Sequence, residues 1–151
     1  MDCLNEKAWR TMFAHAKVDY PAECCGIVSL NGNGKTQVHR CENVQDKLHT
    51  LDPEAHPRTS KTAYRMDDMQ VNRIVTETEK SGGKLVAFYH SHIDCAAYFS
   101  DEDKNAATFF GEPAYPGVLY PVISVVDREV RGKKVFQWDE VETAFVEWVT
   151  D

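Results

Sequence analysis

The 151-residue sequence has no long apolar run, no C-x-x-C pair and no dense cluster of basic residues. Each absence removes a class of protein. The longest near-apolar stretch, VLYPVISVV at 118–126, falls well short of the roughly 20 residues that a bilayer-spanning helix needs. The start, MDCLNEKAW, carries neither the basic n-region nor the apolar h-region of a secretory signal. No membrane role is expected. The five cysteines (Cys3, Cys24, Cys25, Cys41, Cys95) form an odd set without paired spacing, which argues against a disulfide framework or a Cys-rich zinc knuckle. A reducing cytoplasm fits such a set best. The densest basic stretch is RGKK at 131–134 in a chain of net charge −7, so the positive footprint that nucleic acid demands is missing.

What remains is a soluble composition, 42% hydrophobic and 27% charged, on a chain long enough to bury about two-thirds of its unfolded surface. A single domain over 1–151 is therefore expected. Leu4, Ala8, Trp9, Met12, Phe13 and Ala16 recur at helical spacing, and Pro21 closes that helix. CGIVSL (25–30), NGNGK (31–35) and TQVHRCENV (36–44) read as strand, turn and returning strand. Residues 45–60 lack periodicity and read as the longest loop. Asp67 and Gln70 predict a capping box opening a helix to Lys80, with Met66, Met69, Ile74 and Val75 as its inner stripe.

KLVAFYHSH (84–92) reads as a buried strand, and SDEDKNAATFF (100–110) as a helix capped by Ser100 with three acidic residues in its first turn. A Gly/Pro-rich loop follows. VLYPVISVVD (118–127) and KKVFQWDE (133–140) predict a strand pair turning at EVRG, and VETAFVEWV (141–149) a short helix or an edge strand. Helices that alternate with hairpins predict a mixed α/β sandwich, a mixed sheet flanked by helices rather than a doubly wound parallel fold.

The chemistry concentrates in YHSHIDCAAYFSDED (89–103). His90 and His92 stand one residue apart on the predicted strand, so both imidazoles point to one face. Asp103 lies in the first turn of the next helix, and a strand–loop–helix connection can return that turn to the strand's end. Two neutral imidazoles and one carboxylate would leave a zinc ion an open fourth position, as catalytic sites require. Each residue has a bland reading too: hydrogen-bonded histidines for the pair, an N-cap for Ser100, a dipole partner for Asp103. Spacing alone leaves the choice open.

The pattern H-x-H-x7-S-x-x-D, here His90, His92, Ser100 and Asp103, resembles the signature of the JAMM (MPN+) metalloproteases. YPAECCGIVSL (20–30) resembles that family's upstream segment, a glutamate just before a Cys-Gly strand, with Glu23 in place. The resemblance runs over most of the chain and is that of a small, stand-alone bacterial-type member. It implies a cytidine-deaminase-like sandwich and one Zn2+ per chain, with His90, His92 and Asp103 as metal ligands, Glu23 as general acid/base and Ser100 as oxyanion donor. It also implies a zinc peptidase or isopeptidase that cuts at the C-terminal tail of a ubiquitin-like, sulfur-carrier protein. The alternatives are an isopeptidase of a bacterial ubiquitin-like conjugation system and a non-catalytic MPN scaffold. One departure is Ile93, where the family commonly has proline.

Other motifs carry less. GNGKT (32–36) lacks the P-loop's first glycine, since position 29 is serine, and reads as a turn. A zinc deaminase needs H-x-E and a later P-C-x-x-C, and neither occurs. His49 and His56 are expected to be solvated rather than a second metal site, and His15 and His39 to be structural. Cys24 and Cys25 are expected as thiols rather than a vicinal disulfide, and Cys95 as a small loop residue near the metal.

Overall fold

The computed structural model describes residues 3–149, so the ends of the expected domain, at 1–2 and 150–151, lie outside the described residues. Helix α1 (Glu6–Asp19) is followed by strands β1 (Cys25–Leu30) and β2 (Thr36–Cys41), then helices α2 (Gln45–Leu51) and α3 (Asp68–Lys80). Strand β3 (Lys84–Ile93) leads to α4 (Asp101–Ala106) and a two-residue ladder of β4 (Thr108–Phe109) with β5 (Glu112–Pro113). Strands β6 (Tyr120–Val126), β7 (Glu129–Asp139) and β8 (Ala144–Glu147) complete the chain.

Six strands form one mixed sheet in the order β2-β1-β3-β6-β7-β8, with β3 and β6 parallel and the other neighbours antiparallel. A parallel pair cannot be joined by a tight turn and needs a crossover. That crossover is the segment carrying α4. The pairing puts His90 beside Val122 and His92 beside Ser124, so the C-terminal end of β3 lies against the middle of β6.

Side-chain alternation sorts the core onto the two faces. On one face α1 packs Ala8, Met12 and Ala16 against Val28, Tyr89, Ile123 and Val125. On the other α3 packs Val71 and Ile74 with Ile27, Phe88, Tyr120 and Val122. Full burial of each such aliphatic side chain is worth about 1.5–3 kcal/mol. His90 and His92 share the parity of Phe88, so they emerge on the α3 face. The start of α1 is held by Asn5, whose side chain accepts from the Ala8 amide at 2.9 Å.

The mixed sandwich is the expected one, with local differences. Residues 45–51 are helical, although no side chain caps α2 and only Gln45 on it is buried, so the segment sent no amphipathic signal. Met69 is 80% exposed; Val71, Ile74 and Thr78 form the buried stripe of α3. Asp67 caps that helix by accepting from the Gln70 amide, while the Gln70 side chain accepts from the Glu42 amide instead of closing a capping box. The helix begun by Ser100 stops at Ala106, the loop after it holds the β4–β5 ladder, and the last segment is an edge strand. The β6–β7 turn sits at Asp127 and Arg128, both at positive φ, two residues earlier than expected. The first hairpin turns where expected, with Gly34 at φ 79° and the Asn31 carboxamide accepting from the amides of Asn33 and Lys35.

Gly26 has a packing reason. A methyl group there would overlap the ring of Tyr89, which is fully buried and tied by its hydroxyl to His15 Nδ1 at 2.7 Å. The ring has nowhere to swing. Gly26→Ala is accordingly expected to lower the unfolding free energy by about 1–3 kcal/mol, the usual cost of overpacking, as read from urea denaturation.

His15 is itself buried, and burial lowers its proton affinity below the ordinary 6.5 despite Asp19 at 3.1 Å. Between the two values the unfolded chain binds more protons than the native one, so His15's contribution is complete above pH 6.5 and declines as pH falls. Stability measured at about pH 7.5 and 5.5 should therefore drop more in the wild type than in His15→Gln.

Candidate active site

The end of β3 and the start of α4 bring three side chains together. His90 Nε2 lies 3.1 Å and His92 Nε2 3.2 Å from the same oxygen of Asp103, Oδ2, and all three residues are at least 94% buried. Their ligand atoms lie within 4.8 Å of one another. Asp103 is fixed by a reciprocal cap: its amide donates to Ser100 Oγ at 3.1 Å, and its carboxylate accepts from the Ser100 amide at 3.0 Å. One short helix thus orients both the carboxylate and the serine.

The protons tell what the trio can hold. His92 Nδ1 faces the Ala96 carbonyl at 3.2 Å, a partner that can only accept, so the ring proton belongs on Nδ1 and Nε2 presents a lone pair. That lone pair faces a carboxylate oxygen. Two acceptors at this distance repel unless a proton or a cation lies between them. Burial pushes the Asp103 carboxyl up, but the two imidazoles and the Ser100 amide outweigh it and hold the carboxyl well below the usual range. Burial opposes charge on His92 as well, but Asp103 and Glu23 raise its proton affinity.

His90 sharpens the case. Despite its approach to Asp103, neither of its ring nitrogens has a properly directed hydrogen-bond partner among the described residues, although both are buried. Its ring is instead stacked on Tyr64, centroids 4.4 Å apart. Unsatisfied buried nitrogens are uncommon and point to a missing ligand. Side chains that bind one ion at about 2.0–2.2 Å stand roughly 3–3.5 Å from each other, which is the spacing of each imidazole from Asp103. The donor set, two imidazoles and a carboxylate, suits zinc.

A cavity of about 390 Å³ opens on this group, lined by Glu23, His92, Ser100 and Asp103 and walled by Arg58, Lys61, Tyr64 and Tyr98. Glu23 is 5% exposed, and burial pushes its carboxyl up to about 8. Glu23 shares this pocket with His92 and Asp103, some 70–80 residues away in sequence. Ser100 Oγ uses a lone pair in capping, so its hydroxyl proton is still available to donate.

Glu23 is positioned through its backbone. Its amide donates to the Ser60 carbonyl at 2.7 Å, and its carbonyl accepts from Asn43 Nδ2 at 2.9 Å. Ser60 is held in turn by Asp46, whose carboxylate accepts from the Ser60 amide and hydroxyl. Asn43 also donates to Ala63 and accepts from the amides of Gln45 and Arg65. Residues 43–66, which include the 45–60 stretch expected as a loop, are therefore a strap pinned beside the pocket. Arg58, Lys61 and Tyr64 reach the pocket from that strap, and no local sequence pattern marked them.

The family described as prokaryotic homologs of the JAB domain matches residues 5–138. The chain belongs to this family. Among curated relatives it is 30% identical over 127 residues to a desampylase of Haloferax volcanii, covering 80% of this chain and 78% of that one. It is also 30% identical over 117 residues to a CysO-cysteine peptidase of Mycobacterium tuberculosis, covering 77% and 68%. A solution structure from Desulfitobacterium hafniense superposes with a TM-score of 0.67 over 95% of this chain and 87% of that one; at 23% identity it speaks for the fold. The JAMM resemblance of the two motifs and the family match agree, and they place the chain among JAMM-type hydrolases.

The remaining candidates separate cleanly. Ile93, in place of the family's usual proline, continues β3 opposite Val125, and the chain turns one residue later, at Asp94 with φ 55°. Asp94 is braced by Tyr20 Oη and the Asp127 amide. Cys95 is exposed on the pocket wall, and Cys24 and Cys25 are buried free thiols. His49 Nδ1 bonds the His56 carbonyl at 2.8 Å, His39 bonds Ser29, and His15 bonds Tyr89, so these histidines are occupied structurally.

Because Asn43 bridges Glu23, α2 and the strap, Asn43→Ala leaves several polar groups unpaired. A loss of about 1–3 kcal/mol in stability is expected, together with faster amide hydrogen exchange across residues 58–65. Unchanged exchange there would show that the strap does not depend on Asn43.

Proposed function

We propose that this chain is a zinc-dependent peptidase that cuts at the C-terminal tail of a ubiquitin-like, sulfur-carrier protein, with residues 1–151 acting as one catalytic domain. The observation that carries the reading is the convergence of His90, His92 and Asp103 at a pocket that His92 and Asp103 line together with the buried Glu23. His90, His92 and Asp103 would hold the zinc. A zinc ion bound there would supply Lewis acidity, polarising a carbonyl and acidifying water.

The other steps belong to the chain's own groups. Glu23, kept from bulk water and with a raised proton affinity, takes the proton of the attacking water and delivers it to the leaving amine. The Ser100 hydroxyl donates to the oxygen that becomes negative at the tetrahedral stage, a contribution of about 3 kcal/mol for comparable donors. The Ala96 carbonyl fixes the His92 tautomer, and the Tyr64 ring fixes the plane of His90.

The substrate class rests on the relatives, whose names are desampylase and CysO-cysteine peptidase. A protein tail ending in small residues can enter the pocket as an extended strand, the strap being the natural clamp. Cleavage of an isopeptide in a ubiquitin-like conjugate would use the same groups. A scaffold that only binds partners would have no use for a complete donor set beside a buried glutamate. A reducing cytoplasm accords with the free thiols, and among the described residues no helix is long and apolar enough to cross a membrane.

Glu23→Gln should keep its metal and fold yet lose turnover by about 10² to 10⁴, the range for general acid–base groups. Elemental analysis of the purified variant and a cleavage assay on a carrier ending in Gly-Gly-Cys measure the two properties. Wild-type turnover in Glu23→Gln, or wild-type protein that binds no zinc when it is supplied, would refute the assignment.

A further inference from the structure

The chain segments that carry Glu23 and His92 are tied together at both ends of a short frame. At the inner end the Ser91 amide donates to the Cys24 carbonyl at 3.1 Å, and the Cys24 amide donates to Ser91 Oγ at 2.8 Å. At the outer end Tyr20 Oη donates to the Asp94 carboxylate, 2.9 Å and 3.0 Å from its two oxygens. Between the ties lie only Pro21, Ala22 and Glu23 on one side and His92 and Ile93 on the other. Glu23, His92 and Ile93 line the cavity. The separation of glutamate from histidine is therefore set inside a closed circuit of backbone and hydrogen bonds.

The outer tie is made by side chains alone. Asp94 turns the backbone at φ 55°, a left-handed conformation that a residue other than glycine keeps only where its surroundings over-determine it. Here they do. The Asp94 amide donates to the Val125 carbonyl at 2.8 Å, and its Oδ1 also accepts from the Asp127 amide at 3.1 Å. Tyr20 is steadied by packing against the core under α1 and by the Arg128 guanidinium, 5.5 Å from its ring centroid. Past Asp94, the Cys95 carbonyl accepts from Ser124 Oγ at 2.6 Å, and the Ala96 carbonyl faces His92 Nδ1. The turn that Tyr20 holds is thus the turn that orients His92. Ile93 has no ring to fix its own φ, so the hold comes from these contacts.

We propose that Tyr20 is a positioning residue whose hydroxyl, acting through Asp94, keeps the Glu23 segment and the turn after His92 at the separation that the reaction requires. This rests on the peptidase reading above and adds to it a residue outside the cavity lining. Tyr20 acts only through Asp94.

Tyr20→Phe removes the hydroxyl and keeps the ring with its packing. On a carrier ending in Gly-Gly-Cys, at saturating zinc, kcat should fall by about tenfold, the value of one hydrogen bond to a charged group, with KM unchanged. Amide hydrogen exchange should quicken across residues 94–99. Asp94→Asn keeps an oxygen acceptor and tolerates the left-handed turn, so it should retain most of the activity. Asp94→Gly keeps the turn but loses the acceptor, and it should be impaired at least as much as Tyr20→Phe. Combining Tyr20→Phe with Asp94→Gly should slow the enzyme no further than Asp94→Gly alone, because both changes remove one interaction. Unchanged exchange across 94–99 in Tyr20→Phe, a loss confined to KM, or losses that add in the double variant overturns the positioning role. If the wild-type protein cleaves no carrier, the peptidase reading fails, and exchange in the single and double variants still decides whether Tyr20 holds the turn.

Discussion

A carboxylate 6% exposed and flanked by two imidazoles is the constraint around which the middle of this chain is arranged. Taking a carboxylate out of water costs several kcal/mol unless positive charge or hydrogen bonds meet it. For Asp103 the Ser100 amide donates directly, and the rings of His90 and His92 meet it through a proton or a cation held between them. Each of those partners depends on a separate feature of the fold. The histidines share a face because β3 is a regular strand, and α4 returns to the end of that strand because β3 and β6 are parallel and need a crossover. The serine lies in reach because it caps the helix that bears the aspartate.

The opposite face of the sheet supports the same arrangement. Tyr89, packed with the buried face of α1, lies against Gly26 and is tied to His15. That contact sets how closely β1 approaches β3, and the approach sets where Glu23, two residues before β1, comes to lie. The Cys24 amide donates to Ser91 Oγ, on the residue between the two histidines. Glu23 and the histidine–aspartate group are therefore registered by strand pairing, with the strap at 43–66 fixing the glutamate from its other side.

Much of this was legible in the sequence, for identifiable reasons. The histidine pair, the Ser100 cap and the first hairpin obey local rules of period and turn chemistry, and the JAMM-like motifs joined Glu23 to them across the sheet. Helix α2 escaped because it buries little and has no side-chain cap. Met69 misled because an apolar residue in a helix is not buried when its face turns outward, and at 80% exposure it does. Tyr64, Arg58 and Lys61 escaped for a deeper reason. Their importance comes from Asn43, Asp46 and Ser60 pinning the strap, and such side-chain to backbone bonds leave no periodic trace.

The charge balance of the pocket shows why it needs those residues. The chain as a whole carries −7, and four acidic residues, Glu23, Asp101, Glu102 and Asp103, line this one cavity. Left unmatched, they would repel any anionic tail. Imidazoles and the ion they can hold answer Asp103, a guanidinium answers Glu102, and burial drives Glu23 toward its protonated form. Asp101, exposed at the start of α4, has no ion-pair partner among the described residues, so it and the wall side chains set the charge that a substrate meets. Since the wall residues Arg58, Lys61 and Tyr64 lie on the strap and not on the sheet, substitution there can alter the cavity while the geometry of the histidine–aspartate group, fixed by β3 and α4, stays the same.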